Sequence, residues 1–85
     1  MHLISGRQCR MARALLNWRI VDLHQVSKIG ISTIRRIETF DNVPSVRIEN
    51  IDAIRQTFID SGEIDFIGMT GVNLRSSETG VALPT

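Results

Sequence analysis

The sequence predicts a small, mainly α domain: four short helices followed by a short β-hairpin. Three observations carry that expectation. Apolar residues recur at helical spacing from Cys9 to Phe58,. The second and third helical stretches are separated by only three or four residues, so they must cross steeply, as in a helix-turn-helix. After Gly62 the apolar period shortens from 3.6 to 2,.

The first helix is announced by Ser5 with Gln8 three residues later, the capping-box spacing that satisfies the free N–H groups of an opening turn,. It runs to about Asn17, with Cys9, Ala12, Leu15 and Leu16 as its apolar side and Arg7 and Arg10 in solvent. Trp18 closes it and covers the edge of the core. The second helix, roughly Ile20 to Ser27, turns Leu23 and Val26 inward. The third starts at Gly30 or Ile31 in the stretch GISTIRRIETF. A turn of 100° per residue, with Ile34 taken as inward, places Ile37 and Glu38 on the inner half. Ser32 and Arg36 then lie almost opposite Ile34, flanked by Thr33 and Arg35.

Asp41, Asn42 and Pro44 form a turn, and Ser45 offers a cap for a fourth helix ending near Ser61–Gly62,. Ile48, Ile51, Ile54 and Phe58 form its buried stripe. Residues 64–75 make the hairpin, turning between Gly68 and Gly71. Two strands alone are marginal in water, so they must rest on the helices or pair with a second copy. One domain therefore covers residues 1–75, and residues 76–85 read as a flexible tail.

Eighty-five residues leave little length for a second domain,. With 42% apolar and 22% charged residues and only two prolines, the composition argues against disorder over most of the chain,. The lone Cys9 has no intrachain disulfide partner, and no Cys/His cluster has metal-ligand spacing,. The opening residues lack the apolar run of a signal peptide, and no segment is apolar enough to span a membrane. These features predict a cytoplasmic protein without cofactor or metal.

The charge is unevenly distributed. Residues 1–40 carry seven basic and two acidic side chains, a net of +5, whereas residues 41–85 carry three and seven, a net of −4. Such a division suits a basic face for a polyanion with an acidic remainder turned away.

The stretches RQCRMARALLNW, DLHQVSKIGISTIRRIE and IDAIRQTF together resemble the Cro/repressor-type helix-turn-helix domains, the XRE family of bacterial and phage transcription regulators. The likeness covers about Ser5 to Phe58. It extends loosely to EIDFI and GVNLR, which are similar to the hairpin of one small bacterial subgroup. The resemblance implies a Cro/repressor-like fold whose third helix enters the major groove of double-stranded DNA. Ile31, Ser32 and Arg36 would lie nearest the base edges, and Arg19, Thr33 and Arg35 near phosphates. It also pairs Arg13 with Glu38 as a structural salt bridge. At three positions the chain departs from the family pattern: Ile20 replaces a common phosphate-holding glutamine, His24 a small residue, and Lys28 the turn glycine.

Chemistry agrees with the groove role. An arginine such as Arg36 reads guanine through O6 and N7, and Ile31 either meets a thymine methyl or edges the core. Catalysis has little to work with, since Cys9 lies on a core face and His24 and Asp22 have no oxyanion pocket beside them. The sequence therefore predicts a non-enzymatic, sequence-specific DNA-binding regulator, a homodimer in contact through the hairpin or the fourth helix. In a bacterium it would associate with the nucleoid when bound. The other reading is a protein-interaction module, an antitoxin or adaptor, in which Ile20 and Ile31 present apolar surface to a protein partner.

Overall fold

A computed structural model describes residues 3–75, so the expectation for residues 76–85 lies outside the described residues. Four helices follow in order: α1 (Gly6–Leu15), α2 (Ile20–Ser27), α3 (Ile31–Thr39) and α4 (Ile48–Asp60). The antiparallel hairpin β1 (Ile64–Ile67) and β2 (Gly71–Leu74) comes last, with Phe66 opposite Val72.

The start of α1 is fixed by a reciprocal box. The Gln8 N–H donates to Ser5 Oγ at 3.0 Å, and the Ser5 N–H donates to Gln8 Oε1 at 2.9 Å,. The Gln8 amide then does a second job. Its Nε2 donates to the carbonyls of Gly68 and Gly71 at 3.0 and 3.1 Å, tying the hairpin turn to α1. Both ends of this side chain are therefore satisfied, which is why a fully buried glutamine is tolerated,.

The core gathers one or more residues from almost every element: Cys9 and Ala12, Leu23, Ile34 and Ile37, Ile51, Ile54 and Phe58, and Ile64. The Phe58 ring is fully buried, stacked on Trp18 at 5.8 Å and edge-on to Phe66 at 6.1 Å,. The hairpin thus rests on the helices through Ile64 and Phe66 and on α1 through Gln8.

Three expectations about burial are corrected. Val26 is 57% exposed rather than inward. Three positions beyond Leu23, it points about 60° away from it and lies in the last turn, past the edge of the core. Ile48 is also exposed, because α4 begins there behind Arg47 and not behind Ser45. The intervening Val43 and Val46 pack on the core in irregular chain, so the helix starts later. Leu15 is exposed for the reason that Val26 is, and α1 ends there, two residues before the expected Asn17, which takes φ 59° in the reversal that follows.

Arg7 and Arg10 are not simply in solvent. Both pair with Asp41, at 3.2 and 2.8 Å, and Arg10 also donates to the Glu38 carbonyl. They fasten α1 to the end of α3. The Arg10 and Arg7 guanidiniums hold the Asp41 carboxyl below its ordinary value. A depressed carboxyl stabilises the fold above its unfolded pKa and loses that contribution as the pH falls through the folded one. Because the pair is exposed, salt screens it and the effect is small.

Between α2 and α3, Lys28 adopts the left-handed conformation at φ 68°, and its N–H donates to the His24 carbonyl. The His24 ring braces the same turn by donating from Nδ1 to the Ile29 carbonyl at 2.8 Å. A side chain in this conformation costs about 1 kcal/mol that glycine avoids, partly offset by the extra freedom glycine has when unfolded. Lys28→Gly is therefore expected to raise the melting temperature slightly, read by circular dichroism.

Candidate nucleic-acid interface

Ser32 and Arg36 lie on the face of α3 turned away from Ile34, which is fully buried, and both are exposed. With Thr33 they line one wall of an open hollow of about 320 Å³. Val46, Arg47 and Asn50, from the connection after α3 and the first turn of α4, form the other wall. Every polar side chain on these walls has at least one hydrogen-bond donor, and none of them carries negative charge,.

The arginines of the chain divide sharply. Arg7, Arg10, Arg13, Arg19 and Arg75 are all paired with carboxylates. Among the described residues, Lys28, Arg35, Arg36, Arg47 and Arg55 make no ion pair. Three of those five, Arg35, Arg36 and Arg47, belong to α3 and the adjoining start of α4. Unengaged cations are therefore concentrated where α3 is most accessible, although Arg35 stands outside the hollow itself. The first turn of α3 has neither an acidic residue nor a capping side chain. Its unpaired N–H groups add positive potential at Gly30 and Ile31.

Not every expected contact residue joins this group. Ile31 is half-buried and does not line the hollow. Arg19 is occupied by Asp22, which accepts from Arg19 Nε and Nη2 at 3.2 and 3.1 Å and from its backbone N–H at 2.8 Å. Those hydrogen bonds depress the Asp22 carboxyl and raise the Arg19 guanidinium pKa. Ile20 packs against the core instead of projecting as a binding group. Sequence reasoning missed Arg47 and Asn50. Their three-residue spacing was a visible sign of a shared helical face, but their position opposite Ser32 and Arg36 depends on how the irregular residues 40–47 bring α4 back,.

The orientation of α3 is set from beneath. Arg13 donates from Nε and Nη2 to the two Glu38 carboxylate oxygens, both at 2.8 Å, and from Nη1 to the Trp18 carbonyl at 3.0 Å. The Cys9 thiol donates to the same carboxylate at 3.3 Å. Burial, then the charge of Glu38 and its hydrogen bond, push the Cys9 pKa far up,. Arg13 is raised chiefly by its hydrogen bond to Glu38.

Among the described residues no group of His, Cys, Asp and Glu could hold a metal ion, and no helix is long and apolar enough to cross a membrane. Comparison of the chain with protein-family models, curated proteins and solved structures returned no match.

Proposed function

We propose that this protein is a sequence-specific DNA-binding regulator with a Cro/repressor-like helix-turn-helix, acting in the cytoplasm as a homodimer. The single observation that carries the reading is the segregation of cations. Those of α1 and the N-cap of α2 are engaged by carboxylates, while Arg35, Arg36 and Arg47 stand unpaired around the exposed face of α3. In the complex, α3 lies in the major groove. Arg36 donates to a guanine edge, Ser32 to a neighbouring base, and Ile31 lies beside them. Thr33, Arg35 and Arg47 contact phosphates, and Arg19 joins them by exchanging Asp22 for phosphate. One helix of nine residues reads few base pairs. A two-fold pair with half-sites about 34 Å apart supplies the missing discrimination.

A labelled duplex carrying a selected site, titrated at two salt concentrations, tests this. Wild type should lose affinity steeply with salt as counterions are released. Arg36→Ala should weaken binding by about 1–3 kcal/mol and relax preference at one base position. Arg35→Ala should weaken all sequences alike and lower the salt slope by about one. Equal binding by wild type and the double variant Arg35→Ala/Arg36→Ala removes α3 from the contact.

A second reading, a protein-interaction module on the same scaffold, is favoured by the exposed Ile67, Met69 and Leu74 of the hairpin. A stable stoichiometric protein complex together with no measurable duplex affinity selects it.

A further inference from the structure

A second concave surface is lined by the chain before α1, the connection after α3, the middle of α4 and the hairpin. It is a groove of about 570 Å³ lined by Leu3, Ile4, Val43, Phe66 and Met69, with Arg55 as its one charged side chain. That volume lies within the range of small-molecule sites, and one charged side chain faces a largely apolar wall,. Arg55 is half-covered, and among the described residues it has neither a carboxylate partner nor a hydrogen bond, although Asp52 lies one helical turn before it. A neighbouring hollow shares Val43 and Met69, but its cation, Arg7, is already bound to Asp41. Of these two neighbouring hollows, the one lined by Arg55 combines apolar walls with an unengaged guanidinium.

We infer that this groove binds an amphipathic monocarboxylate, its aliphatic chain lying on Phe66, Val43 and Met69 and its carboxylate on Arg55. A guanidinium is more weakly hydrated than an ammonium, and Arg55 is half-covered, so a carboxylate there gains a charge-assisted, two-pronged hydrogen bond,. Met69 is 49% exposed at the boundary of the two hollows. Its unbranched thioether adapts to chains of different length. The inference is independent of duplex binding.

The test uses the full chain and sodium decanoate below its micellar concentration, with decanol as the uncharged counterpart. Decanoate should bind saturably at one site, shift the Met69 methyl and Phe66 ring signals in nuclear magnetic resonance spectra, and raise the melting temperature. Loss of one charge-assisted pair should make decanol about tenfold weaker or worse. Arg55→Gln should bind the two alike while melting like wild type without ligand, and Arg55→Lys should restore part of the preference. Non-saturating uptake, several molecules per chain, or equal decanoate affinity in wild type and Arg55→Gln overturns the inference. So does occlusion of the groove by a second copy, seen as self-association that decanoate does not compete with.

Discussion

Gly6→Ala should cost about 3 kcal/mol or more and leave the protein largely unfolded near physiological temperature, as read by urea titration. A Cβ at this position would lie 2.1 Å from the Phe40 carbonyl oxygen and 2.2 Å from that of Ile37. Both obstacles are backbone, so no side-chain rotation relieves them. Separating α1 from the end of α3 would break the bond from the Gly6 N–H to the Asn42 carbonyl and loosen the Arg10 contact with the Glu38 carbonyl. Gly30→Ala is the matching control. An added Cβ there meets nothing within 4 Å, and the backbone φ of −61° suits any residue. It should leave stability within about 0.5 kcal/mol of wild type.

The second large effect is expected at Glu38. Glu38→Ala leaves the Arg13 guanidinium and the Cys9 thiol without their acceptor, and removing one partner of a buried pair costs about 3–5 kcal/mol,. The Arg13 side chain keeps 22% exposure and can recover some hydration, which places the expected cost at about 3 kcal/mol, the lower end of that range,. Replacing both partners by apolar residues, Arg13→Met with Glu38→Leu, should recover much of the loss, because no charge is then left stranded. A double-mutant cycle by chemical denaturation separates the pair's own coupling from the cost of stranding either group. If Glu38→Ala retains wild-type stability, the carboxylate is not what fixes α3 on α1.

The division into four helices and a hairpin was readable because it rests on local signals. Ser5 and Gln8 form a capping box from positions three apart, and the change of period after Gly62 follows from strands alternating faces,. What could not be read was whatever depends on where one element ends against another. Val26 and Ile48 have helical spacing from true core residues, yet each sits in a terminal turn that overhangs the core. The second role of Gln8 required knowing that residues 68–71 return to α1, a separation of sixty residues or more. Arg7 and Arg10 look like solvated charges until Asp41 is brought beside them.

The candidate interface divides in the same way. Ser32 and Arg36 project from α3 by its helical angle alone, and that much follows from 100° per residue. Arg47 and Asn50 join them only through the path of the irregular segment between α3 and α4. Counted along the sequence, Arg47 belongs to the acidic half of the chain. In space it stands with the unpaired cations of the basic half, so net charge by segment was a poor guide to the composition of the face.

The most direct measurement of the central claim is a nuclear magnetic resonance titration of the isotopically labelled protein with duplex DNA at low salt. Signals of Ser32, Thr33, Arg35, Arg36, Arg47 and Asn50 should move together along one saturation curve, with the core signals of Ile54 and Phe58 unaffected. Duplex binding that leaves the α3 signals in place and shifts only the hairpin, or no binding of any duplex under these conditions, would contradict it.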